Sequence, residues 1–279
     1  MRRLVSGETA ERFRRNHNLH VGLTLLALLV LASVAGPFVV PHDPVAIDFA
    51  VTLQPPSLVH PFGTDDLGRD VLARVIAAAR VDLEVVAVCV LLPFVIGSAI
   101  GLVSGYFGGW LDLVLMRLVD ILWAFPFYVL VISIVGALGP SIGNMYLAFT
   151  LVVWISFARI VRGEVLLAKQ LDYVKAARVL GYSHSRIMFR HILPNVITPA
   201  IVFMMADVVL TILAVTSLGF LGLGIQPPTP EWGVMIADGR NFIQDGWWIS
   251  LFPGLAIVLV GVTFTFLGDG LDDFLRPKA

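Results

Sequence analysis

The sequence predicts an all-α, polytopic membrane protein, and three observations carry that reading. The 279-residue chain is 58% hydrophobic and 14% charged, whereas soluble domains carry about 25% charged residues. Its apolar residues gather into six segments, each long enough to approach the roughly 20 helical residues that cross a hydrocarbon layer of about 30 Å. Its cations fall in blocks between those segments rather than evenly along the chain.

The first predicted span is Val21–Val40, preceded by a tail bearing Arg2, Arg3, Arg12, Arg14 and Arg15. Ala32 to Gly36 resembles a processing site, but the apolar run exceeds the roughly 7–15 residues of a signal-peptide core, so the span reads as an uncleaved anchor. An excursion from Pro41 to Asp82 follows. Within it Val71, Leu72, Val75, Ile76 and Ala79 recur at helical spacing, an amphipathic pattern that fits either a helix on the membrane surface or part of an outer surface that receives another protein. The remaining spans are Val85–Val103, Leu113–Ala137, Met145–Ile160, Ile197–Leu223 and Trp248–Gly268. Gly139-Pro140-Ser141 makes the third and fourth an antiparallel hairpin. The chain divides into a tail at 1–20, a first span with an extracytoplasmic segment at 21–84, and a transmembrane domain at 85–279.

Gly97, Gly101 and Gly105 share a face of the second span, and Gly254, Gly261 and Gly268 recur every seven residues in the sixth. Small residues let helices approach closely in lipid, either as static packing or as surfaces that rock. Gln226 to Pro230 is a stiff non-helical connection, with Trp232, Trp247 and Trp248 placed as interface anchors.

Charge sets the orientation. The N-terminal arginines, the block from Arg159 to Arg190, and Arg276 with Lys278 all fall on one side of six spans, which the positive-inside rule makes cytoplasmic. The net charge of −1 conceals this asymmetry and gives no sign of nucleic-acid binding. The expected surroundings are the lipid bilayer.

The cytoplasmic stretch at 171–194 is longer than a connector requires. Tyr173 to Leu180 alternates at helical spacing, and Gly181 stands where a helix C-cap takes a left-handed residue. Ser183 can cap a second helix, which Pro194 brings near its end. Ala176, Ala177 and Gly181 give the first helix a small-residue face that another protein can approach. Arg186 and Arg190 suit either acids on such a partner or ordinary cytoplasmic charge.

Few residues offer chemistry. Asp207 is the ionisable residue well inside a predicted span; it should face protein or water, as a pathway group or as a neutral, hydrogen-bonded one. Arg117 and Asp120 stand three apart and can pair on one helix face, structurally or at an inner gate. None of the six histidines lies in a span, and no HExxH or CxxC spacing occurs, so no metal site is expected. Cys89 is alone, which excludes an intrachain disulfide. Gly268-Asp269-Gly270 evokes an intramembrane aspartyl protease, yet no second acid at membrane depth completes one. An autonomous secondary transporter would need more intramembrane charge or paired broken helices.

A resemblance sharpens this. Ala176-Ala177, Gly181 and Ile192-Leu193-Pro194 resemble the EAA loop of ABC importer permeases. His60 to Asp70 (HPFGTDDLGRD), Gly105 to Pro126, Phe220 to Gly233 and Leu267 to Leu271 resemble, in order, the C subunits of dipeptide/oligopeptide/nickel permeases. The resemblance implies the type I ABC importer permease fold and a bacterial or archaeal cell membrane with both termini cytoplasmic. It also implies a homologous B-type permease subunit, two ATP-binding subunits that hold Mg-ATP, and an extracytoplasmic substrate-binding protein. This chain would then bind no cofactor and carry no catalytic residue. The implied ATPase-coupling loop comprises Tyr173, Lys175, Ala176, Ala177, Gly181, Arg186, Arg190, Leu193 and Pro194; Asp207, Arg117 and Asp120 are pathway or gate candidates. Short peptides are the expected substrates, with nickel or other chelated metals, glutathione and haem as alternatives. Two departures stand out. Lys175 replaces the loop's usual Glu, so a salt bridge from that Glu cannot be assumed, and Val215 stands where close relatives carry Glu.

Overall fold

A computed structural model describes residues 11–275 and contains helices, turns and no strands among them. The long elements are α1 (His17–Val39), α2 (Val71–Phe107), α3 (Gly109–Trp123), α4 (Phe127–Leu138) and α5 (Ile142–Ala168), then α6 (Asp172–Val179), α7 (Thr198–Phe220), α8 (Trp232–Gly239) and α9 (Trp248–Leu275). Arg2, Arg3, Arg276 and Lys278 lie outside the described residues.

By length and composition four helices can cross a membrane: α1 to Gly36, α2, α7 and α9. The count is five if α3 and α4 form one broken span. The third predicted span, Leu113–Ala137, is not one helix. It breaks between Trp123 and Phe127, and its halves meet at 87°. Pro126 is the physical reason. Its ring cannot follow a helical turn, and it pushes Phe125 away from the α region. The remaining predicted span falls on α5, which is not among the four.

α5 packs along α2 at glycine distance. A Cβ on Gly97 would stand 2.2 Å from the Trp154 carbonyl oxygen, and one on Gly101 would stand 2.4 Å from that of Ala158. The glycine row in α9 behaves differently. A Cβ on Gly254 would meet nothing within 4 Å, and only Gly268 comes close to a neighbour, at 3.2 Å from Met205.

The bundle has two ends. Asn16 caps α1 and donates from Nδ2 to the Gly270 carbonyl at 2.7 Å, which brings the start of α1 to the end of α9. At the opposite end the 41–70 arm, the starts of α2 and α9, and α8 interlock. The expected surface helix does not exist as a separate element. Val71, Val75 and Ala79 are buried in the opening turns of the 37-residue α2, which runs on into the second predicted span. Trp232 and Trp248 are not interface anchors either. Both are buried, donating from Nε1 to the carbonyls of Val75 at 3.0 Å and Thr64 at 2.9 Å. Trp247 is exposed.

Charge is buried at this arm end. Asp65 accepts from Arg69 Nε at 2.6 Å and lies 3.5 Å from Arg74 Nε, while Asp238 lies 3.6 Å from Arg69 Nη2. Arg69 and Arg74 are less than 9% exposed. An isolated buried guanidinium is costly, so two shared carboxylates explain its tolerance.

Candidate coupling loop and translocation cavity

The loop end is built from α6 and the helical stretch that follows it. Gly181 ends α6 at φ 74°, the left-handed conformation a C-cap glycine supplies without steric cost. Ser183 then accepts from the Arg186 amide at 3.4 Å and opens the next turn. The second helix does not end at Pro194. Ile187–Ile192 widens into a π turn, and Pro194 occupies the first turn of Leu193–Val196, which leads almost directly into α7. The absent proline N–H is an orphan donor in a first turn anyway, so the residue fits there.

The loop is fixed to the bundle from below. Tyr106, at the end of α2, shares a hydrogen bond with His184 Nδ1 at 2.8 Å and lies under the Arg178 guanidinium. Tyr182 stacks on His191, and Arg186 lies over the Tyr182 ring at 4.1 Å. Val174, Ala177, Ile187, Met188 and Ile192 point into the chain's own core. The small-residue face predicted for a partner is therefore split. Ala176 is exposed, whereas Ala177 is 3% exposed and packs internally. Helical phase is the reason: residue 177 follows Val174 by three and shares its inward face.

The outward surface is apolar with a basic margin. Leu171, Tyr173, Val179, Leu180 and Phe189 are exposed, Leu180 at 68% and Val179 at 87%. Lys175, Arg186, Arg190 and Pro194 are exposed with them, and Leu193 is half-buried. Lys175 lies 3.4 Å from Asp172, so the charge that replaces the usual Glu is turned along its own helix.

Beneath the loop, Arg162 of α5 binds Asp112 of α3 with two hydrogen bonds, at 2.5 and 2.7 Å. Ser104 also donates to Asp112, and Lys169 donates to the Gly105 carbonyl at 2.8 Å. This brace joins α2, α3 and α5. Sequence reasoning missed it, because the partners are 50 residues apart. Opposite charges at the ends of facing spans were the available signal.

Arg117 and Asp120 do not pair. Asp120 accepts from Arg159 of α5 at 2.6 Å, Arg159 also covers the Trp123 ring, and Arg117 is exposed. A long-range partner displaced the three-residue neighbour because α5 runs past α3 at that level.

The α3–α4 bend opens a cavity of about 500 Å³. Trp123, Phe125, Phe127 and Tyr128 line one side, while Phe203 and Asp207 of α7 line another. Asp207 is 7% exposed, and its Oδ2 has no hydrogen-bond partner among the described residues. A buried carboxylate without a partner demands a compensating contact.

A second acid site escaped the sequence reading. Asp82, in the upper part of α2, is fully buried and accepts from the Trp232 amide at 3.0 Å through Oδ2. Glu231 is 1% exposed and caps α8, accepting from Gly233 and Val234 amides at 2.7 and 2.8 Å. Burial pushes the Glu231 carboxyl up to about 7 although both amides oppose the shift. Glu231 lies over Gly219, where a Cβ would stand 2.0 Å from Oε2. The pair ties α2, α7 and α8 at the arm end.

Residues 97–279 match the family of binding-protein-dependent transport system inner membrane components. The chain belongs to that family. Residues 6–56 match the N-terminal transmembrane domain of oligopeptide transport permease C. The chain is 42% identical to the probable D,D-dipeptide transport system permease DdpC of Escherichia coli (strain K12), over 91% of its own length and 86% of the relative's. It is 40% identical to the dipeptide transport system permease DppC of Alkalihalophilus pseudofirmus, with 97% and 89% covered. It is 39% identical to the glutathione transport system permease GsiD of Pectobacterium atrosepticum, with 96% and 89% covered. Among solved structures, an amino acid ABC transporter with histidines shares the fold at TM-score 0.50 and 18% identity, covering 69% of this chain and 89% of that one. The protein is thus a multi-pass permease subunit of an ABC importer, and its family is not that of the catalytic subunit.

Proposed function

We propose that this permease imports dipeptides or oligopeptides as half of a translocation path, with its loop end in the cytoplasm. The carrying observation is the apolar surface of Tyr173, Val179, Leu180 and Phe189, exposed on a loop whose inner face is fully packed. Exposed apolar side chains gathered outside the spans mark an interaction site. Its basic margin, including Arg186 and Arg190, suits an acidic rim on an ATP-binding subunit. The names of the 40–42% identical relatives support peptides over glutathione, nickel or haem as cargo.

In this reading α5 completes six spans, with both termini on the cytoplasmic side and the arm end outside. Two ATP-binding subunits hold Mg-ATP, and one of them seats Tyr173, Lys175, Ala176, Leu180 and Phe189. A B-type permease subunit closes the path, and a binding protein docks at the arm end. When the ATPases close, α6 and the stretch to Pro194 move with them. Leu193 and Pro194 sit where that motion enters α7, and α7 carries Asp207 into the cavity. Asp207 is a pathway residue whose free oxygen meets a cationic substrate group.

Reconstitution tests this directly. The purified complex in vesicles, supplied with binding protein outside and ATP inside, should accumulate short peptides. Asp207→Asn should keep assembly and lower uptake, or shift preference toward substrates without a free amine. ATP-independent uptake would overturn the coupling reading. Unchanged selectivity in the Asn variant would make Asp207 structural.

A further inference from the structure

The sequence shows no metal-binding spacing, yet the fold brings three ligand-type side chains together in the arm. His42, His60 and Asp70 each offer a ligand atom, and those atoms all lie within 4.8 Å of one another. His60 Nδ1 stands 2.8 Å from Asp70 Oδ2, and His42 Nδ1 stands 3.4 Å from that same oxygen. The two imidazole rings lie face to face at a tilt, with centroids 4.8 Å apart.

From this juxtaposition we infer a zinc(II) site, with His42, His60 and Asp70 as its protein ligands and water in the fourth position. Tetrahedral zinc takes imidazole nitrogen and carboxylate oxygen at about 2.0–2.2 Å, which separates its ligand atoms by a little over 3 Å. The two spacings to Asp70 bracket that value, while the widest spacing in the group, up to 4.8 Å, requires the two rings to draw together around the ion. Two imidazoles favour zinc over calcium or magnesium, which take oxygen ligands.

The surroundings hold the ligands in place. Asp70 is 3% exposed; its Oδ1 accepts from the Ala73 amide at 2.8 Å as the cap of α2, which leaves Oδ2 for the histidines. His60 sits in a closed turn, where Ser57 donates to its carbonyl at 2.8 Å and its own amide donates to Ser57 Oγ at 3.0 Å. The His42 side chain is 35% exposed, so the metal can be reached and a water can complete the shell. A neutral imidazole that ligates through Nδ1 carries its proton on Nε2 instead, so no net proton need be lost. The ion would link the start of the arm, its middle and the first turn of α2. It would thereby clamp a segment otherwise held by short turns.

The test uses the full-length chain in detergent, with a purification tag free of histidine and metal first removed by chelator. Zinc alone is titrated in competition with a chromophoric chelator, and cobalt(II) serves as the spectroscopic stand-in. One equivalent of zinc, tetrahedral cobalt bands and a zinc-dependent rise in melting temperature are expected. His42→Ala should weaken binding at least about 100-fold, the upper end of what a change behind a metal ligand costs. It should abolish the zinc-dependent rise in melting temperature while changing the metal-free value far less, because the His42 side chain is partly exposed. His60→Ala checks the second ligand independently of His42. Absence of a zinc equivalent in the wild-type chain would overturn the site. So would equal zinc affinity in the wild type and the His42→Ala variant.

Discussion

The arm end and the loop end of this permease are built in opposite ways. At the arm end, polar groups are drawn inward and paired within the chain: Asp65, Arg69, Arg74 and Asp238 share a charge cluster, while Trp232 and Trp248 donate to backbone carbonyls. At the loop end, Val179, Leu180 and Phe189 face outward, and the arginines beside them cover aromatic rings or point to solvent. The arm end settles its charges within the chain, although Ile47, Phe49, Leu58 and Val59 are exposed there. The loop end packs its inner face and leaves an apolar outer face exposed.

The largest effect expected from breaking this contrast is functional and lies at the loop end. Leu180→Glu should leave the subunit's stability within the range of ordinary surface changes, about ±0.5 kcal/mol. It should nevertheless abolish ATP-driven uptake, as read in reconstituted vesicles normalised to assembled complex. Normal uptake would show that the apolar surface is not the coupling contact.

The next largest is structural and lies at the arm end. Asp65→Ala removes the buried carboxylate that Arg69 and Arg74 share, and breaking a buried pair costs about 3–5 kcal/mol. The yield of folded permease should fall sharply in detergent, before any question of transport arises. Wild-type yield and melting would mean that the cluster is solvated and contributes little.

A paired substitution sharpens the comparison within α6. Ala177→Trp must be accommodated in a packed core and should destabilise the subunit by about 1–3 kcal/mol. Ala176→Trp, one residue away on the exposed face, should spare stability and uncouple ATP hydrolysis from transport. Equal melting temperatures for the two variants would contradict the inward orientation of Ala177.

A further effect concerns pH. Glu231 is held near 7, against an ordinary value of 4.5. Below about 4.5 both folded and unfolded chains carry its proton. Between 4.5 and 7 the unfolded chain releases it first, so stability falls as pH rises and levels off above 7. Melting curves from pH 5 to 8 should show that decline. Glu231→Gln should make that decline shallower, and an unchanged slope would mean that Glu231 does not titrate in this range.

Some of this was legible in residues alone. Gly181 had to adopt a left-handed conformation if Tyr173 to Leu180 was a helix, and it does at φ 74°. Gly97 and Gly101 announced close approach, and they meet the Trp154 and Ala158 carbonyls. The break at Pro126 was also written in the chain, but a rule that seeks about 20 apolar residues runs straight through it. Asp120 with Arg159, Asp112 with Arg162 and Asp82 beside Glu231 were not legible, because each joins residues far apart in sequence.

The sequence by itself determined the helical, membrane-spanning class, the family and the helix that Gly181 ends. Those follow from local quantities: apolar run length, the position of glycine and proline, and motifs read in order. Only the tertiary structure decided which face of α6 is free, where the cavity opens, and that His42, His60 and Asp70 meet. The physical reason is that hydrophobicity is counted residue by residue, whereas pairing depends on which helices pass one another and at what height.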